Sequence, residues 1–222
     1  MKHISEYIDH TSLKPHITYD EMHKFVVTAN KYRFASVCIP PSLVKWIYNK
    51  TNASICTVIG FPFGFISSGE KIFEIGQSLC NGVDEIDIVL NISNIVNDDW
   101  DAVDSEIKDV TSLKTLAIKK IIVETCYLTE EQLEIVTKII VRNDVDYIKT
   151  STGYGTRGAS VRDIEIIKSV IPVGSNLKIK ASGGIKTLED AEKFINLGCE
   201  RIGTSNGANI CAEWEKKYGN NT

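Results

Sequence analysis

Eight short apolar runs, bounded by turn residues and separated by segments with helical spacing, set the tightest limit on how this chain can fold. They are YIDH (7–10), ASVCI (35–39), ICTVIG (55–60), EIDIVL (85–90), KIIVET (120–125), DYIKT (146–150), LKIKA (177–181) and RIGT (201–204). Their shortness and their Ile and Val content read as strands buried on both faces. The segments between them carry helical stripes: Met22, Phe25, Val26 and Ala29; Leu133, Val136 and Ile140; Ala191, Phe194 and Ile195. Four begin with a capping-box pattern, Thr18-x-x-Glu21, Thr129-x-x-Gln132, Ser160-x-x-Asp163 and Thr187-x-x-Asp190. Gly82 and Gly198 follow apolar stripes, where a helix end wants a left-handed residue.

Strand and helix alternate from end to end without a Pro/Gly/Ser linker. This predicts the α/β class and a (β/α)8 TIM barrel, a single domain over residues 1–222. An open doubly wound sheet would want a Gly-rich nucleotide turn after its first strand, and IDHTSLKP (8–15) does not supply one.

Composition narrows the function. With 43% hydrophobic residues and 24% charged, the chain can build a sizeable core. The net charge of −4 is spread along the chain, which argues against nucleic acid or an anionic membrane surface as a partner. No apolar run at the start reads as a signal peptide, and none is long enough to span a membrane. Cys38, Cys56, Cys80, Cys126, Cys199 and Cys211 lack C-x-x-C spacing and read as free thiols in a reducing, cytoplasmic setting.

In a barrel, the C-terminal strand ends face the active site. The candidates there are Asp9, His10, Thr11, Cys38, Asp87, Asn91, Glu124, Lys149, Lys178 and Lys180. Two lysines and an aspartate converging on one mouth point to amine chemistry on a carbonyl compound. A lysine of ordinary pKa, about 10.4, is neutral in roughly one molecule in 2,500 at pH 7. Lowering that pKa to about 7 takes roughly 4–5 kcal/mol, which burial and a second nearby cation can supply. The competing reading of Lys149 is an ion pair with Asp87 that holds the barrel together.

The stretches SGGI (182–185) and GTSNG (203–207) follow the seventh and eighth strands, where barrels often bind phosphate through backbone amides. The four histidines lie in the first 23 residues without metal-ligand spacing, so no metal is expected. His10 reads as a hydrogen-bonded structural residue. The chain has no P-loop and no dinucleotide fingerprint, and no cofactor is expected.

The motifs IDHTSLKP (8–15), ASVCIPPSLV (35–44), TVIGFPFG (57–64), DEIDIVLNI (84–92), IIVETCYLT (121–129), DYIKTSTGYGTRGAS (146–160), KASGGIKT (180–187) and RIGTS (201–205) together resemble the deoxyribose-phosphate aldolase family of class I aldolases. The resemblance implies reversible cleavage of 2-deoxy-D-ribose 5-phosphate to acetaldehyde and D-glyceraldehyde 3-phosphate, with a homodimer as the assembly. It makes Lys149 the Schiff-base lysine, Lys180 the second lysine that depresses the nucleophile's pKa, and Asp87 a participant in proton transfer. Thr150, Gly153, Gly183, Gly184, Gly203 and Ser205 become the substrate- and phosphate-binding set.

One departure is local. After GFPFG the family continues with small and polar residues, whereas this chain has Phe65, Ile66, Ser67 and Ser68, which implies a different shape on that side of the mouth. Two other functions fit the residues less well. A sugar-phosphate isomerase needs a carboxylate base and no amine nucleophile. A non-catalytic barrel that binds a sugar phosphate has no use for two lysines and an aspartate at one mouth.

Overall fold

Parallel strands this short satisfy their backbone groups only by pairing on both sides, and here the pairing closes into a ring. The structure, a computed structural model, describes residues 2–143 and 145–219. The end of the tail YGNNT, residues 220–222, lies outside the described residues.

Eight strands, each paired in parallel with the next and β8 with β1, form a closed barrel. They are β1 (Ile8–Thr11), β2 (Ser36–Ile39), β3 (Ser54–Ile59), β4 (Glu85–Val89), β5 (Ile118–Ile122), β6 (Tyr147–Lys149), β7 (Lys178–Ser182) and β8 (Arg201–Thr204). Each coincides with a predicted run to within about three residues at either end, the usual uncertainty of element boundaries. The helices are α1 (Tyr19–Tyr32), α2 (Val44–Ile47), α3 (Ser68–Cys80), α4 (Ile92–Val96), α5 (Trp100–Thr111), α6 (Glu130–Val141), α7 (Val161–Val170), α8 (Leu188–Asn196) and α9 (Gly207–Tyr218). None is long and apolar enough to cross a membrane.

The four predicted capping boxes start α1, α6, α7 and α8, each with its reciprocal pair of bonds. Ser67 and Glu70 form a further one at α3. Gly82 and Gly198 are left-handed, with φ of +92° and +104°.

The apolar core lies between barrel and helices. Ile8, Val37, Ile86, Ile121, Ile148 and Ile202 face outward from the strands and are fully buried. They belong to one cluster with Met22, Val103, Leu133, Ile164 and Ala191 of the surrounding helices. Each such side chain contributes about 1.5–3 kcal/mol by leaving water.

The strands are buried on both faces, as expected, yet the inner face is not apolar. In EIDIV of β4, Ile86 and Ile88 face the helices, while Glu85 and Asp87 meet lysines inside the ring. The barrel interior is charged.

The β3–α3 connection is pinned by Lys71, which is wholly buried. Its Nζ donates to the carbonyls of Gly64 (2.6 Å) and Val89 (2.7 Å) and pairs with Glu106. Glu74 of the same helix accepts from the Gly60 amide at 2.7 Å. Replacing Lys71 with Met strands the buried Glu106 carboxylate, so the expected loss in unfolding free energy is about 3–5 kcal/mol. Adding Glu106→Leu to Lys71→Met should recover part of that loss, and urea denaturation of the two variants checks both results.

Candidate active site

Alternation along the strands aims one residue in two at the barrel axis, and six strands aim an acidic or basic side chain there. Asp87 on β4 lies at the centre. Its Oδ2 accepts from Lys149 Nζ and Lys180 Nζ, both at 2.7 Å. Its Oδ1 accepts from Lys120 Nζ at 2.9 Å and from Cys56 Sγ at 3.2 Å. Lys180 also pairs with Asp9, and Lys120 with Glu85 at 2.6 Å. Arg201 completes the array by binding Asp9 through Nη1 and Glu85 through Nη2, the latter at 2.9 Å.

The array holds three lysines, one arginine and three carboxylates. Each ion out of water costs several kcal/mol, so the array persists only because every charge has a partner. Burial alone would raise the pKa of Asp87, but Lys120, Lys149 and Lys180 overcome it and hold the carboxyl well below its usual range. Asp9 is lowered likewise, against burial, by Lys180, Lys120 and Arg201. Burial would discharge Lys120 and Lys180, yet the facing carboxylates raise both above the ordinary lysine value. Lys120 and Lys180 are thus fixed as cations.

Lys149 differs from them in two ways. Asp87 is its single carboxylate partner among the described residues, and it lines the mouth cavity, whereas Lys120 and Lys180 lie beneath it. The cavity has a volume of about 430 Å³ and is bounded on one side by Gly153, Gly183, Gly184, Gly203 and Ser205. Gly203 has a second duty. A Cβ there would meet Ser182 Cβ at 2.9 Å and Lys180 Cε at 3.2 Å, so its absence leaves room for the Lys180 side chain.

The structure brings Lys149, Lys180 and Asp87 together, and it sets five of the predicted glycines and serine at one cavity wall. It does not bring Thr150 to the cavity. That hydroxyl is buried in the seam between β6 and β7, where it accepts from the Ser182 amide at 3.2 Å. Lys178, at the opposite end of β7, is exposed and faces Glu200 at 3.5 Å. Asn91 caps α4 away from the mouth cavity. Glu124 accepts from the Thr152 amide at 3.1 Å and braces the β6–α7 loop. Phe65 and Ile66 do not line the mouth cavity; Phe65 stacks on Phe63 at its surface, with ring centroids 5.4 Å apart.

His10 corrects a second expectation. Its ring makes no structural hydrogen bond through Nδ1, which is buried without a partner. It is instead stacked between Phe25 and Phe34, with centroids at 4.5 and 4.6 Å. Burial pushes its pKa down to about 4.

Sequence reasoning passed over Lys120, Glu85 and Arg201. The readable signal was the period-two spacing of charges within the apolar strands, Glu85-x-Asp87 above all. Cys38, Cys56 and Asp87 bring possible metal-binding atoms within 4.8 Å of one another. The Nζ atoms of three lysines already hold the Asp87 oxygens, and the repulsion of the Lys120 and Lys180 cations opposes a dication there.

A buried amine sharing a carboxylate with a second lysine, at the C-terminal mouth of a parallel barrel, is the equipment of an enzyme that acts on carbonyl compounds through a Schiff base. Comparison with known proteins narrows the class. No family model matches the chain. A deoxyribose-phosphate aldolase of Clostridioides difficile (strain 630) is 46% identical over 207 residues, which cover 92% of this chain and 94% of that protein. Among solved structures, the aldolase QR15 superposes with a TM-score of 0.94 at 36% identity, over the whole of both chains. The tetrameric deoxyribose phosphate aldolase of Aeropyrum pernix gives 0.83 at 26% identity, over 96% of this chain and 92% of the other. The chain belongs to the deoxyribose-phosphate aldolase family.

The buried groups fix how stability follows pH. His10 has its pKa lowered on folding, so its contribution is complete above about pH 6.5 and is lost as pH falls toward 4. The depressed carboxyls of Asp9 and Asp87 contribute fully above about pH 4 and lose their contribution only below it. Between pH 6.5 and 5, His10 should therefore lower the unfolding free energy by about 2 kcal/mol. The variant His10→Phe should show a flatter profile in that window, as measured by urea denaturation at each pH.

Proposed function

We propose that this chain, acting as one barrel domain, reversibly cleaves 2-deoxy-D-ribose 5-phosphate to D-glyceraldehyde 3-phosphate and acetaldehyde through a Schiff base on Lys149. The observation that carries this reading is Asp87 Oδ2, held 2.7 Å from both Lys149 and Lys180 directly under the cavity.

Lys149 is the lysine in the array that has one carboxylate contact and a side open to substrate. Its neutral amine attacks the C1 aldehyde of the open-chain sugar to give a carbinolamine. Loss of water, with a proton delivered to the leaving oxygen, gives the iminium. Asp87 Oδ2, shared by two amines, is placed to pass protons in these steps, and Lys180 is the cation behind it. A base then takes the proton of the C3 hydroxyl, and the C2–C3 bond breaks. Its electron pair flows into the iminium to leave an enamine on Lys149 and release glyceraldehyde 3-phosphate. Protonation of the enamine carbon and hydrolysis return the amine and free acetaldehyde. The iminium is the electron sink, so the residues present suffice for the cleavage.

The cavity wall formed by Gly153, Gly183, Gly184, Gly203 and Ser205 is assigned to the phosphate. Backbone amides there can approach an anion closely. Thr150 supports that wall through its bond to Ser182. A charged sugar phosphate is retained behind a membrane, which supports the cytoplasm as the proposed location. A homodimer is the proposed assembly, and sedimentation velocity measures it.

A coupled assay for glyceraldehyde 3-phosphate released from deoxyribose 5-phosphate tests the activity. Lys149→Met should abolish release. Lys180→Met should lower turnover by roughly 10²-fold or more, the scale of a lost acid–base group. Lys178→Met should cost little, because that side chain lies at the far end of the strand. Denaturation curves separate lost chemistry from lost folding. Wild-type protein that releases no product would overturn the reading.

A further inference from the structure

Asp9 and His10 are neighbours on β1 that point opposite ways. Asp9 enters the charged interior, while His10 faces outward into the crevice between the barrel, α1 and the start of α9. Its ring is only 5% exposed, yet it lines the mouth cavity beside Gly203 and Ser205. Asn206 gives α9 no side-chain cap, so the first turn of that helix presents its amides without one. Residue 207 is glycine at the point of contact. A Cβ there would lie 2.8 Å from His10 Nδ1.

These contacts fix the tautomer. Nδ1 is enclosed, without a hydrogen-bond partner, against the positive end of a helix. A bare lone pair is favourable beside that positive end, and an N–H group there would have no acceptor. The proton therefore sits on Nε2, the ring nitrogen that His10 can offer to the cavity. Stacking between Phe25 and Phe34 sets the ring plane, and burial keeps the ring uncharged.

We propose that His10 is a specificity-determining residue, a neutral donor whose Nε2–H binds the phosphate of the substrate at the cavity wall beside Gly203 and Ser205. This rests on the assignment of the phosphate to the glycine-lined wall. It adds a side-chain donor, fixed in direction by its aromatic neighbours, to the backbone amides of the glycine-lined wall. It also accounts for a buried imidazole that the Schiff-base steps do not use.

The test compares wild-type protein with His10→Phe, which keeps the stack and loses the donor, on deoxyribose 5-phosphate and on unphosphorylated deoxyribose. A hydrogen bond to a charged group is worth about 1.5–3 kcal/mol, so KM for the phosphate ester should rise about tenfold or more at unchanged kcat. The kcat/KM for deoxyribose should stay as it is, and His10→Gln should recover part of the preference. On the wild-type protein, nitrogen NMR of His10 should show a protonated Nε2 whose signal moves when inorganic phosphate is added. Equal losses on both sugars, no loss on either, or a His10 signal indifferent to phosphate would overturn the proposal. A wild-type protein that treats both sugars alike would overturn the phosphate assignment itself, and this inference with it.

Discussion

Everything inside the barrel is arranged around one buried carboxylate. Asp87 accepts from three lysine Nζ atoms, two on Oδ2 and one on Oδ1. Those lysines come from β5, β6 and β7, so the carboxylate on β4 also gathers the strands that carry the chemistry. Behind it, Asp9 and Glu85 neutralise the far sides of Lys180 and Lys120, and Arg201 binds both of those carboxylates from below. Removing one member leaves its partners charged and dry, a loss of about 3–5 kcal/mol for a buried pair. The interior is thus held in one arrangement by electrostatics, and stability comes from the apolar layer outside it.

That division of labour explains what could be read from sequence. Strand and helix alternation, the four capping boxes and the glycines after α3 and α8 are local signals, so the barrel was legible. Lys149, Lys180 and Asp87 were legible because they stand near strand ends that a barrel turns toward its mouth. Lys120 was hidden in the apolar run KIIVET and Arg201 at the start of RIGT, away from the C-terminal ends. Their partners lie across the barrel, and no spacing along the chain encodes that. Thr150 was misplaced for a related reason. It follows Lys149 directly, but alternation turns its side chain into the seam between strands. His10 follows Asp9 and is turned out by the same alternation.

On the proposed reading, the mouth divides into a reacting side and a holding side. Lys149 reaches the cavity from β6, with the shared carboxylate beneath it. The glycines after β6 and β7, with Gly203 and Ser205 at the end of β8, form the wall proposed for the anion. Gly203 serves both sides, since the same missing Cβ that opens the wall also makes room for Lys180. The aromatic pair Phe63 and Phe65 lies outside the residues that line the cavity.

Covalent trapping tests the central claim most directly. The protein is incubated with acetaldehyde, reduced with borohydride, digested and mapped by mass spectrometry. The account predicts one added ethyl group on Lys149, inactivation in proportion to that label, and no label on Lys120 or Lys180, both locked between carboxylates. Label on Lys180 or Lys120 with Lys149 unmodified, or inactivation without any labelled core lysine, would contradict it.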